Sequence, residues 1–161
     1  MPSLKCASNN PSFSHAGHCR FTVLKRDTNN MILIGLTGGK PEQRMEIASR
    51  IELHGDSRMK TWAGSNVRHT ASRVRDLTIT LNDAKANKAL GGIVAFNVMT
   101  VDEAQEIRRR GGAIWHVMGV PSESVPMERD DPKVTHMQGG CRHFLDALDA
   151  FYEHLLSIQK K

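Results

Sequence analysis

The stretch Met31-Ile32-Leu33-Ile34-Gly35-Leu36-Thr37-Gly38-Gly39-Lys40-Pro41 constrains this chain more than any other. An unbroken apolar run of that length reads as a strand covered on both faces, as the strands of parallel sheets are. The run breaks at two glycines and then a proline. Pro41 suits the first turn of a helix, where its missing N–H would have had no partner. Glu42 follows near the positive end of the dipole, and Met45, Ala48 and Ile51 form a stripe at i, i+3 and i+6, with Ile47 beside it. His54-Gly55 closes the segment, so the pattern predicts a helix over 41–53. A strand entering a helix through a glycine turn is the opening unit of an α/β domain.

The alternation continues downstream. Residues 56–69 are polar and basic and read as a loop. Residues 70–90 carry two signals. Leu77-Thr78-Ile79-Thr80-Leu81 alternates like a strand, but the helix formers from Asp83 to Leu90 favour a helix. Gly91-Gly92 then precedes a second buried strand, Ile93 to Val98. Thr100-Val101-Asp102-Glu103 is a capping box opening a helix over 100–110. Its acids come first and Arg108-Arg109-Arg110 last, complementing the macrodipole, and Gly111-Gly112 ends it. Ala113 to Met118 reads as a third strand. Residues 121–140 show no apolar period, and Cys141 to Ile158 reads as an amphipathic helix with Phe144, Leu148, Phe151 and Leu155 on its apolar stripe. The expected fold is a three-layer α/β domain with a small parallel sheet between helices.

The 161 residues suffice for one such domain, and they contain no run of about 18 apolar residues that would span a membrane. Residues 1–30 are rich in Ser, Asn, Pro and His, and are expected to form a poorly ordered extension preceding the domain at 31–161. His15, His18, Cys19 and Cys6 have donor atoms suited to zinc, but their spacing matches no common structural site, so no metal is assigned. Three cysteines are no disulfide framework, and with no apolar signal segment the expected location is the cytoplasm. The formal charge of +5 suits an anionic ligand, while aromatic residues at 5% do not favour single-stranded nucleic acid.

In a parallel sheet, ligands bind beyond the carboxyl ends of the strands. There the sequence places Gly35, Gly38, Gly39 and Lys40, directly before a helix N-terminus, as backbone suited to cradle a phosphate. The competing reading of these glycines is a tight turn and nothing more. Arg58, Lys60, Arg68, Arg73 and Arg75 are candidate substrate-binding cations, although a disordered basic loop would carry the same residues.

Ile34-Gly35-Leu36-Thr37-Gly38, together with Asn97-Val98-Met99-Thr100-Val101-Asp102-Glu103-Ala104, Ile107 and Gly111-Gly112, resembles the P-loop nucleoside monophosphate kinases, closest to the bacteriophage-type deoxynucleoside monophosphate kinases. The resemblance implies a P-loop NTPase-like fold, ATP or another nucleotide as ligand, and phosphoryl transfer assisted by Mg²⁺. It also implies that the basic residues of 58–75 close as a lid over phosphates. It implies a Walker loop as well, G-x-x-x-x-G-K-[ST]. Counted from Gly38, that motif puts Gln43 where a glycine is expected, Arg44 in place of the lysine and Met45 in place of the hydroxyl ligand of magnesium. Asn97 and Met99 replace an acid and an arginine in the second block. A thioether and an amide do not supply the hard, charged oxygens magnesium prefers. These departures imply a pseudokinase that binds a nucleotide or phosphate with weak or lost transfer. Two alternatives stand beside it. One is an active kinase rewired around Lys40 and Arg44, and the other is a non-enzymatic binding or inhibitor protein that uses the fold as a scaffold for a protein partner.

His116 is expected to be a packed strand histidine, Asp130-Asp131 a turn before Pro132, and the triple arginine a helix terminus rather than a nucleic-acid contact. Cys141 is assigned no chemistry.

Overall fold

A computed structural model describes residues 31–55 and 57–160. The expected extension over 1–30 and its histidine and cysteine donors lie outside the described residues. The elements run β1 (Ile32–Thr37), α1 (Pro41–His54), β2 (Met59–Trp62), α2 (Thr70–Ala86), β3 (Gly92–Ala95), α3 (Val101–Arg109), β4 (Ala113–Val117), β5 (Lys133–Thr135), β6 (Leu145–Asp146) and α4 (Ala147–Gln159). The strands form one sheet in the order β2-β3-β1-β4-β5-β6, and every pairing is parallel.

The period of two along β1 builds two cores. Ile32, Ile34 and Leu36 pack with Trp115 of β4, with Ile47, Ala48 and Ile51 of α1, and with Ala147, Ala150 and Phe151 of α4. Leu33 points the other way, with Ile93 and Ile114, toward Leu77 and Leu81 of α2 and Ala104 and Ile107 of α3. Helices therefore cover both faces, which is why β1 is buried at all six positions. Gly35 contributes space to the second core: a Cβ there would lie 2.8 Å from both Ile107 and Ile114.

Three expectations need correction. The sheet has six strands among the described residues, where three were legible. β2 lies inside the segment read as a loop. It is an edge strand with Met59 buried and Lys60 exposed, so its four residues show little apolar period. An exposed lysine on an edge also discourages pairing with another chain. Residues 77–81 belong to α2, as the helix reading expected, and its buried positions Arg73, Leu77, Leu81 and Ala84 follow helical spacing. The last helix begins at Ala147, not Cys141. Gly139, Gly140 and Arg142 have φ near +54° to +78° and turn the chain into β6, and Asp146 then caps α4 by accepting the N–H of Leu148 at 2.9 Å.

The capping box of α3 forms as expected: Thr100 accepts the N–H of Glu103, and Glu103 accepts the N–H of Thr100. At the other end, Glu106 accepts from Arg109 at 2.8 and 2.7 Å and from Arg110 at 2.6 Å. The hydrogen bond from Arg109 leads in holding the Glu106 carboxyl down, from 4.5 to about 2. A carboxylate whose folded pKa is depressed adds stability above its unfolded pKa and loses it as pH falls through the folded one. Glu106→Gln should therefore flatten the acid limb of the stability curve between about pH 4.5 and 2, as read by thermal melts across that range. Because Arg109 is exposed, the effect should shrink in high salt. An acid limb identical to wild type would show that the pairs do not persist in solution.

Candidate functional site

From β1 the chain crosses to β2 and β3 on one side, then passes over β1 to β4 on the other. That reversal makes the carboxyl end of β1 the topological switch point of the sheet, the place where open α/β sheets bind ligands. The glycine turn stands at that point. Gly38 and Gly39 have φ of +74° and +59°, a conformation that side chains rarely adopt. A Cβ on Gly39 would also come within 2.9 Å of the Met118 carbonyl.

Two donors of this turn are engaged within the protein. The Gly39 N–H donates to the Val120 carbonyl at 2.8 Å, and the Lys40 N–H donates to Gln43 Oε1 at 3.0 Å. Lys40 itself is exposed. Arg44 is 6% exposed and points back under the turn. Its Nη1 donates to the carbonyls of Gly38 at 2.6 Å and Gly39 at 3.1 Å, its Nε to the carbonyl of Phe96 at 2.9 Å, and its Nη2 to Asn97 Oδ1 at 3.1 Å. Burial lowers its pKa while nearby Glu42 raises it, and a guanidinium remains charged over the ordinary pH range.

Asn97 joins this centre to a second buried guanidinium. Its carbonyl accepts from Arg73 Nη2 at 3.2 Å, while Arg73 Nη1 donates to the carbonyls of Ser65 at 2.6 Å and Val67 at 3.1 Å. Arg73 Nε lies 3.2 Å from the carboxylate of Glu103, which is 1% exposed and also accepts the N–H groups of Met99 and Thr100. Arg73 thus fastens the β2–α2 connection to the end of β3 and is not free to form part of a lid.

The other four candidate cations are dispersed. Arg58 immediately precedes β2, where its carbonyl accepts the Gly91 N–H at 3.0 Å. Register pairs Met59 and Ile32 with Gly92, which puts Arg58 at the amino end of the sheet. At about 3.3 Å per residue, the glycine turn is roughly 20 Å away. Lys60 is exposed on the edge strand, Arg75 is exposed on α2, and Arg68 is exposed just before that helix. A shallow depression of about 440 Å³ lies beside α2, over Trp62, Ser65, Asp76 and Ile79. The hydroxyl of Ser65 donates to Asp76 there at 2.6 Å.

On β4, His116 is buried at 3% exposure and its Nε2 lies 3.0 Å from Asp131. Asp131 also accepts from Arg108 Nη2 at 2.6 Å and from the Glu128 N–H at 2.9 Å. These contacts pin the long β4–β5 connection to α3, so His116 is a packed residue as expected. All three arginines at the end of α3 are paired with carboxylates. The sequence reading did not anticipate the pairing of Asp131, nor that of Asp146 with Arg50 at 3.0 Å. An Asp directly before Ala147-Leu148 was an available N-cap signal. Desolvation alone would raise the pKa of Asp146. The N–H groups of Leu148 and Gly139 and the Arg50 guanidinium outweigh it and hold the carboxyl below its usual range.

Among the described residues, no group of three His, Cys, Asp or Glu side chains is placed to hold a metal ion, and no helix is long and apolar enough to cross a membrane. At the positions where the kinase resemblance expects magnesium ligation, Met45 is half-exposed and Asn97 accepts from Arg44. Neither fits that ion. Compared with protein families, curated proteins and solved structures, the chain matches none.

Proposed function

We propose that residues 31–161 are a P-loop nucleotide-kinase-like domain without phosphoryl transfer, keeping weak, magnesium-independent contact with a nucleotide or phosphate. The carrying observation is the direction of Arg44. A transferring site aims its cation at phosphate oxygens, because phosphoryl transfer is almost entirely positioning and electrostatics. Here the guanidinium is spent on Gly38, Gly39, Phe96 and Asn97, and the two glycine carbonyls face inward with it. What remains for an anion is exposed Lys40 and the N-terminus of α1, where Glu42 already opposes negative charge.

Calorimetric titration with ATP and the four deoxynucleoside monophosphates, with Mg²⁺ and with EDTA, tests this reading. ATP should bind in the millimolar range, about −4 kcal/mol, with less than about twofold change on metal removal, and Lys40→Ala should abolish the heat. Parallel assays should show no magnesium-dependent ADP formation. Turnover near the ordinary kinase range of about 1–100 s⁻¹ would overturn the proposal in favour of a rewired kinase.

One observation favours a second reading, a non-enzymatic protein-binding scaffold. Met99, Val120, Met127 and Met137 are each 45% exposed or more, and they follow the carboxyl ends of β3, β4 and β5. Apolar thioethers suit adaptable protein contacts better than phosphate. This scaffold predicts no nucleotide binding and a protein partner recovered by pull-down.

A further inference from the structure

We infer that the oxygens around Arg44 form a guanidinium receptor whose resident ligand is the chain's own side chain, and that this internal cation holds the glycine turn in shape without an external ligand. Four oxygens converge, the carbonyls of Gly38, Gly39 and Phe96 and the Oδ1 of Asn97, at 2.6 to 3.1 Å from the guanidinium nitrogens. A guanidinium has five N–H donors in one plane, and four of them are used here. Phosphate loops present N–H groups inward to a negative charge. This turn presents carbonyl oxygens inward to a positive one, so its preference at that point is reversed.

The oxygens come from two separate parts of the chain, the β1–α1 turn at Gly38 and Gly39 and the stretch after β3 at Phe96 and Asn97, 57 to 59 residues apart in sequence. A cation between them therefore acts as a clasp. Its planar shape matters, because the three donors of a lysine ammonium diverge from one nitrogen and cannot reach both parts with the same geometry. Asn97 fits the role: its neutral amide oxygen accepts from Arg44 while its carbonyl accepts from Arg73. Neither the oxygens nor the guanidinium depend on the kinase resemblance, so the nucleotide titration and the test below can fail independently.

Two measurements on the whole chain test the clasp. In ¹⁵N spectra of the wild-type protein, the Nη protons of Arg44 should exchange slowly and resolve separately, unlike those of exposed Arg109. Rapid exchange at Arg44 would overturn the clasp even if no variant folds. Arg44→Ala should lower Tm by on the order of 5 °C or more. Methylguanidinium at about 20 mM should restore a few degrees to that variant, while sodium chloride of equal ionic strength restores none. Wild type should show no rise, since its receptor is filled. Arg44→Lys should fall between wild type and Arg44→Ala and gain nothing from methylguanidinium. A folded Arg44→Ala variant that responds to methylguanidinium as wild type does would sink the inference.

Discussion

Replacing Glu103 with alanine should cost about 3–5 kcal/mol, enough to unfold much of the chain if its total stability lies in the ordinary range of about 5–15 kcal/mol. Two losses add. The Arg73 guanidinium stays buried with its carboxylate partner gone, and the N–H groups of Met99 and Thr100 lose their acceptor at the start of α3. Glu103→Gln keeps an acceptor oxygen and the shape but removes the charge, so it should cost less than half as much. Urea denaturation of the two variants separates the terms. An alanine variant within about 1 kcal/mol of wild type would mean that Arg73 is satisfied by Ser65, Val67 and Asn97 alone.

Trp115→Ala should be comparably severe, at about 3–5 kcal/mol, because the ring is fully buried between β1 and the α1 and α4 layer. Trp115→Phe should be far milder. The indole N–H has no hydrogen-bond partner among the described residues, so the wild-type core already carries the cost of an unsatisfied donor, about 1–3 kcal/mol. Phenylalanine removes that donor while leaving a smaller gap, and the two effects should offset to within about 1.5 kcal/mol. Thermal and urea melts of both variants check this. Equal losses for Ala and Phe would show that the N–H is bonded in solution.

Legibility followed the range of the interactions. β1, the turn at Gly38 and Gly39, α1 and α3 were all readable, because their signals sit within a few residues: an apolar run, a glycine pair, a proline at the first turn, a capping box. β2, β5 and β6 were not. They have four, three and two residues, too few for a period of two to stand out, and their strand character comes from the neighbours they pair with. The end of the chain shows the same limit. Phe144 and Leu145 continue an apolar stripe on paper, yet the positive-φ turn before them and the cap at Asp146 place both ahead of the helix.

For the candidate site the sequence pointed to the carboxyl end of β1 and named Arg44, Arg73 and Asn97 with their charges or the lack of one, while Glu103 read only as part of a helix cap. It said nothing of direction. Arg44 and Arg73 read as cations offered to an anion, because a positive excess and a glycine turn are compatible with that use. The tertiary structure turned both inward. Their main partners are backbone carbonyls, which every residue carries and no residue type announces: those of Gly38, Gly39 and Phe96 for Arg44, and those of Ser65, Val67 and Asn97 for Arg73. Whether a guanidinium faces solvent or such a group of oxygens depends on how the end of β3 meets the β1–α1 turn, and that meeting exists only once the sheet has assembled.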